Sequence, residues 1–398
     1  MTSPSKRLGP YELVRRLGAG GMAETFLAVR SGPAGFRQQV CLKRVLPALV
    51  QDQGFVQLFL DEARIQSQLR HGNIVQVYDF GEADGAYYLA LELVDGVDLN
   101  ALLRYLGQRG QALPPSVVLH VLRELCRALE VTHALAIDGV AQNLVHRDIS
   151  PSNILVSVAG EVKLTDFGIA LAQSRESKTE TGKMRGKLGY MPPEQIHGEV
   201  LDARSDLFSV GVVLYQMLTG EHPFRKAGMS DYDVLTRVVR GEHAPVRELA
   251  PSVSADLAAL CEAMIASDRE LRPRNAREIL EHTVSLVPPA HADRELAERV
   301  AAVQAAQHIA QPGADAQRES QRLTVPGPGP NDPTRAHGER VKTERVHTER
   351  SRLESPSWVH DPTRAVDTPL SVPLTAAVSV GPSRRALGVL VASLLLAA

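Results

Sequence analysis

The stretch His146-Arg147-Asp148-Ile149-Ser150-Pro151-Ser152-Asn153, HRDISPSN in one-letter code, decides how the chain is read. A carboxylate and a carboxamide flank a proline turn. Two short apolar runs follow, NILVSV and EVKLTD, and the second leads into Asp166-Phe167-Gly168. The octapeptide suits a loop with an aspartate as base and an asparagine as metal ligand, and Asp166 adds a second carboxylate downstream. Each of the three is also an ordinary turn residue when taken alone.

Upstream, Leu17-Gly18-Ala19-Gly20-Gly21-Met22-Ala23 follows a strand-like run. Glycines allow a tight turn and bring backbone N–H groups against phosphate oxygens. No helix opens after them, which argues against a dinucleotide fold. Val40-Cys41-Leu42-Lys43 then ends an apolar strand in a lysine, and Glu62 lies in the next helical segment, within FLDEARIQ. A glutamate there can hold that ammonium toward a phosphate, whereas an isolated strand-end lysine more often snorkels to the surface.

The chain has 398 residues, 44% of them hydrophobic, enough for a two-lobed domain with a long extension. A net charge of −2 exerts no general pull on nucleic acid or anionic membrane. Cys41, Cys126 and Cys261 are too dispersed for a zinc site or a disulfide framework, which fits a reducing cytosol. The runs YELVRRLG, TFLAVR, QVCLKRV, IVQVYDF and AYYLALELV read as strands, and Phe55 to Leu69 as an amphipathic helix. From Leu99 to about Val287 the pattern is mainly helical. The expectation is an α+β fold with a β-rich lobe over 11–95, a helical lobe over 96–287 and a cleft between them. A further candidate helix lies within 288–310. Residues 311–383 are poor in large apolar side chains and read as a disordered linker.

With Tyr190-Met191-Pro192-Pro193-Glu194 and Ser205-Asp206-Leu207-Phe208-Ser209-Val210-Gly211 added, the chain over roughly 11–287 resembles the eukaryotic-like protein kinase family, in particular its bacterial serine/threonine members. The resemblance implies a bilobal kinase fold that uses ATP with magnesium or manganese and phosphorylates serine or threonine in protein substrates. It implies that Leu17, Gly18, Ala19, Gly20 and Gly21 cover the phosphates, and that Lys43 contacts them while paired with Glu62. Asp148 would take the hydroxyl proton, and Asn153 and Asp166 would hold the metal. Leu91 would be the gatekeeper, Glu92 to Val94 the adenine-binding hinge, Asp98 the ribose partner and Leu155 the adenine floor. Asp206 would brace the catalytic loop, and Glu194 would pair with Arg272. Competing readings are a pseudokinase scaffold that holds ATP and a kinase fold acting on a small molecule.

Two departures from the family pattern are linked. The loop position two residues after the aspartate, usually lysine, is Ser150, and the position after Gly186, usually threonine, is Lys187. The expectation is that the Lys187 ammonium reaches Asp148 and the γ-phosphate site; the alternative is that it points to solvent. Ala23, Thr25 and Cys41 replace a glycine, a valine and an alanine of the pattern, and Thr25 and Cys41 make the nucleotide roof more polar.

Arg147 is the expected receiver of an activation-segment phosphate, with Ser174, Ser177, Thr179 and Thr181 as candidate sites of autophosphorylation through self-association. The final run ALGVLVASLLLAA, after Arg384-Arg385, would extend about 20 Å as a helix against a bilayer core of roughly 30 Å. Residues 384–398 are therefore expected to be either a short or truncated membrane anchor, with the kinase on the cytoplasmic side, or a sticky tail on a soluble protein.

Overall fold

The computed structural model describes residues 7–167, 187–286 and 291–310. Strands β1 (Arg7–Leu8), β2 (Tyr11–Ala19), β3 (Ala23–Ser31), β4 (Arg37–Val45), β5 (Val77–Ala83) and β6 (Ala86–Glu92) form one antiparallel sheet in the order β1-β2-β3-β4-β6-β5. Alternation along β4 sorts its side chains between two faces. Val40 and Leu42 are buried with Tyr11, Ala28, Tyr88 and Ala90, while Cys41 packs against the second cluster, formed with the helix below. Lys43 shares Cys41's face by the same alternation.

After the short α1 (Pro47–Val50), Asp52 caps α2 (Gln53–Gln68), accepting the Phe55 N–H at 3.0 Å. Phe55, Phe59 and Ala63 recur at helical spacing and pack with Val45, Val75, Leu89 and Leu91. That seam also carries Glu62, buried on α2 near the Lys43 strand. The predicted strand IVQVYDF is divided between the lobes. Ile74 bridges to Leu164, and Leu164 exchanges backbone bonds with Asn73 and Val75 at 2.8 and 2.9 Å, so only the part from Val77 joins the first sheet.

The second lobe begins with β7 (Gly96–Asp98), α3 (Leu99–Gly107) and α4 (Pro115–His133), then a hairpin of β8 (Ala136–Ile137) and β9 (Val140–Ala141). β10 (Ile154–Ser157) pairs with both β7 and β11 (Val162–Leu164). The helices α5 (Pro193–Ile196), α6 (Ala203–Thr219), α7 (Asp231–Arg240), α8 (Val246–Leu249), α9 (Ala255–Met264), α10 (Ala276–Val284) and α11 (Ala292–Ala310) complete it. α6 is the axis of this lobe. A capping box of Asp202 and Ser205 starts it and Gly220, at φ 76°, ends it. Every residue from Ser205 to Tyr215 on it is buried.

Two features lie beyond the predicted outline. Leu8, only 3% exposed, carries the sheet upstream of residue 11; a two-residue strand is too short for alternation to reveal. The hairpin turns on Asp138-Gly139, at φ 51° and 78°, which is the mirror-image turn that this dipeptide favours. The expected helix after residue 288 is α11, and its apolar stripe of Leu296, Val300 and Val303 joins the main core. At its start, a Cβ on Gly160 (φ +81°) would stand 2.0 Å from the Asp293 carbonyl oxygen, so only glycine admits this approach. Ser116 donates to Glu295 at 3.2 Å and Gln304 to Asp95 at 3.2 Å, which ties α11 to α4 and to the segment before β7.

Leu296→Ala is expected to destabilise the domain by about 2–5 kcal/mol in urea unfolding; unchanged stability would show that α11 lies outside the cooperative unit.

Candidate active site

The site grows from the loop between β9 and β10. Leu144, Val145, Ile149 and Ile154 are buried and anchor it in the core. The buried Asp206 of α6 accepts the backbone N–H groups of His146 and Arg147 at 2.8 and 3.0 Å, and the His133 ring nitrogen at 2.8 Å. Arg147 has φ +70°, a left-handed conformation that needs such external restraint in a non-glycine residue. Burial alone would raise the Asp206 pKa, but its bonds from His133 and from the His146 backbone N–H outweigh this and hold it below the ordinary carboxylate value. Asp206 therefore holds the backbone of this loop at two successive residues.

His146 is fully buried, packed on Phe167 with ring centroids 4.4 Å apart. Burial lowers its pKa, against the raising effect of Asp206 and Asp148, so the ring is neutral. Its Nδ1 accepts the Asp148 N–H at 3.3 Å, and its Nε2–H then donates to the Thr165 carbonyl at 3.2 Å. One ring thus ties the residue bearing the expected base to the strand end bearing Asp166.

The Asn153 amide nitrogen donates to the Asp148 carbonyl at 2.7 Å and to Asp148 Oδ2 at 2.8 Å. Lys187 Nζ also donates to Asp148 Oδ2, at 2.6 Å, and lies 3.4 Å from Asn153 Oδ1. Oδ2 is fully engaged, while Oδ1 carries no hydrogen bond among the described residues. Ser150 is 2% exposed, with its Oγ 3.0 Å from that of Ser152. The ammonium at this site therefore comes from the segment before α5.

Across the cleft, register aligns Gly18, Thr25 and Lys43 on three neighbouring strands. Leu17, Gly18 and Ala19 finish β2, and the turn through Gly20 and Gly21 closes with a Gly20 N–H to Ala23 carbonyl bond of 2.7 Å. Lys43 Nζ donates to Asp166 Oδ1 at 2.8 Å. Burial works to lower the Lys43 pKa, but the charges of Asp166 and Glu62 raise it above its ordinary value. Conversely, burial works to raise the Asp166 pKa and Lys43 holds it low. The direct bond of Lys43 is thus to Asp166, and Glu62 acts on it as a neighbouring charge.

Cys41, Val94 and Leu155 all pack on the cluster containing Leu91, so the residues expected as roof, gatekeeper, hinge and floor share one apolar cluster. Cys41 pairs with Leu91 across the sheet, and Leu155 with Asp98. The Cys41 thiol is pushed up to about 11 by burial and then by Asp166, which leaves it protonated and unreactive. Asp98 Oδ1 caps α3 through the Ala101 N–H at 2.8 Å. Glu92 forms an ion pair with Lys163 at 2.8 Å that sequence reasoning missed, because neither residue has a distinguishing neighbour pattern.

Glu194 and Arg272 form a buried, bidentate pair at 2.8 and 3.0 Å, with Ser205 donating to the same carboxylate at 2.8 Å. Burial acts to raise the Glu194 pKa and the Arg272 bonds overcome it, holding it low. Arg147 is exposed. Ser174, Ser177, Thr179, Thr181, Gly168 and the tail 311–398 lie outside the described residues. Among the described residues no helix is long and apolar enough to cross a membrane.

The loop braced by Asp206 thus carries Asp148 beside Asn153 and Lys187, while Lys43 on β4 is paired with Asp166 just after β11. The family description "Protein kinase domain" matches residues 11–285.

This chain belongs to the protein kinase domain family.

It is 45% identical over 253 residues to Tyrosine-protein kinase MasK of Myxococcus xanthus, covering 63% of this chain and 39% of that one. It is 36% identical over 285 residues to Serine/threonine-protein kinase PknB of Mycobacterium tuberculosis (70% and 43%), and 34% identical over 245 residues to Serine/threonine-protein kinase PrkC of Bacillus subtilis (62% and 35%). The chain thus spans less than half the length of these relatives. The crystal structure of a point mutant of the Mycobacterium tuberculosis PknI kinase domain shares the fold at a TM-score of 0.52 and 24% identity, covering 72% of this chain and all of that one.

The family uses ATP and a divalent cation. Among the described residues no group of three or more His, Cys, Asp or Glu gathers into a self-sufficient metal site. One carboxylate at Asp166 and one amide oxygen at Asn153 suit a hard cation that completes its shell with phosphate and water.

Arg272→Met leaves Glu194 buried without its counter-charge and is expected to cost about 3–5 kcal/mol in urea unfolding. A loss below about 1 kcal/mol would show that the pair is dispensable.

Proposed function

We propose that this chain is an ATP- and magnesium-dependent kinase that phosphorylates serine or threonine hydroxyls in proteins. Asp148 carries the reading: its carboxylate has one oxygen fixed by Asn153 and Lys187, while the other carries no hydrogen bond among the described residues. In the proposed reaction the acceptor oxygen bonds to the γ-phosphorus, and the bond from that phosphorus to the β–γ bridging oxygen breaks with its electron pair leaving on ADP. The hydroxyl proton passes to Asp148. Gly18, Ala19, Gly20 and Gly21 enclose the phosphates with backbone N–H groups, and Lys43 fixes the α- and β-phosphates. Leu91, Glu92, Val94, Thr25, Cys41 and Leu155 hold the base, and Asp98 faces the ribose. When bound by Asn153 and Asp166, magnesium neutralises phosphate charge.

The acceptor is read as serine or threonine because two of the relatives carry that name and the segment around Glu194 follows the protein-substrate pattern. A second reading, tyrosine, is favoured by the name of the 45% identical relative and by the absence of lysine at Ser150. The pseudokinase reading is disfavoured by the intact set Lys43, Glu62, Asp148, Asn153 and Asp166. Autophosphorylation between Ser174 and Thr181, received by Arg147, and anchoring through residues 384–398 extend the proposal.

Incubation of the full chain with γ-labelled ATP and magnesium is expected to label the chain or added casein, and Asp148→Asn is expected to lower the rate by at least about 100-fold. Label on phosphoserine or phosphothreonine supports the first reading, label on phosphotyrosine replaces it with the second, and no Asp148-dependent label rejects both.

A further inference from the structure

We propose that Lys187 is the catalytic cation of the transfer step, and that this charge is delivered by the segment before α5 (187–192) rather than by the loop that carries the base. The inference rests on the protein kinase reading above and deepens it. Lys187 Nζ contacts Asp148 Oδ2 at 2.6 Å and stands 3.4 Å from Asn153 Oδ1, so it bridges the proposed base and a proposed metal ligand. Its side chain is about one-third exposed, whereas that of Asp148 is 14% exposed, so the ion pair is only partly withdrawn from water.

The catalytic loop cannot provide this charge. Ser150 is 2% exposed and packed on Ser152, so the loop holds only a small hydroxyl at that position. Lysine suits delivery from another backbone origin, because it is a compact charge on a long stem. That origin is firmly held. The Lys187 carbonyl accepts the Tyr190 N–H at 3.0 Å, which opens the turn Leu188–Tyr190. Tyr190 is fastened to α6 at both ends: its hydroxyl donates to Gln216 at 2.6 Å, and its carbonyl accepts the Ser209 hydroxyl at 2.7 Å. Its ring meets His222 edge-on at 4.9 Å. The catalytic loop is fastened to the same helix through Asp206. Base and cation therefore arrive on two loops hung from one buried frame. In this chain the segment before α5 must be seated on α6 before the transfer site has its full charge, so seating and turnover are linked.

Charge on the equatorial oxygens of the moving phosphoryl group peaks in the transition state, so a cation beside it acts on turnover more than on nucleotide binding. The test compares the full chain with Lys187→Met, in Asp148-dependent phosphoryl transfer to itself or to casein and in binding of a fluorescent ATP analogue with magnesium. Lys187→Met is expected to slow transfer by at least about tenfold while the dissociation constant of the analogue changes by less than about threefold. In Lys187→Cys, alkylation with 2-bromoethylamine restores an ammonium on a nearly identical stem and is expected to recover most of the lost rate; the same treatment of Lys187→Met should recover none. The proposal is overturned if Lys187→Met is as fast as wild type or faster, which would make the ion pair a brake on the base. It is also overturned if weakened nucleotide binding accounts for the whole loss, or if stoichiometric aminoethylation restores nothing. A wild-type chain without Asp148-dependent transfer defeats instead the kinase reading on which the inference stands.

Discussion

The site depends on one buried carboxylate. Asp206 sits within the first turn of α6, where a negative charge is favoured, and it is almost wholly withdrawn from water. Its two oxygens are used by two consecutive backbone N–H groups of the catalytic loop and by His133. A buried carboxylate is tolerated only with such partners, and the partners in turn hold Arg147 at a positive φ that it would not keep alone. Desolvation and loop geometry thus support each other: the carboxylate needs the loop, and the loop needs the carboxylate.

The same helix organises the other half of the chemistry. α6 is apolar nearly all round, and its polar residues are spaced tie points. Ser205 reaches Glu194, Asp206 the catalytic loop, and Ser209 and Gln216 the backbone and ring hydroxyl of Tyr190. Glu194, with Arg272 against it, holds the end of the segment that begins at Lys187. A single rigid element thereby sets the separation between the strand of chain that bears Asp148 and the one that bears Lys187. This is why an ammonium attached almost forty residues downstream meets the carboxylate at hydrogen-bond distance.

How much was legible in the sequence follows from the range of each signal. The β-strands and α2 showed themselves through periods of two and of 3.6, and their observed limits differ from the expected ones by a few residues. Lys43, Asp148, Asn153, Asp166 and Asp206 were visible because their spacing along the chain is distinctive. The exchange of Ser150 and Lys187 was visible for the same reason, since two departures in one pattern can be compared. His133, Lys163 and Gln216 carried no such mark. Each is an ordinary polar residue on a regular element, and its importance comes from a partner distant in the chain. The division of IVQVYDF between two lobes was hidden because its apolar run is continuous while its hydrogen-bond partners change at Val77. α11 announced its helical period, but the approach of Asp293 to Gly160 that seats it on the core left no trace in either local segment.

The account therefore turns on where one side chain lies when the nucleotide is present. The most direct measurement is a crystal structure of the full chain with a non-hydrolysable ATP analogue and magnesium. The account predicts the Lys187 ammonium within hydrogen-bond distance of both Asp148 and a γ-phosphate oxygen, with Tyr190 still bonded to Ser209 and Gln216. A Lys187 side chain turned into bulk water, with another protein cation beside the γ-phosphate, would contradict it.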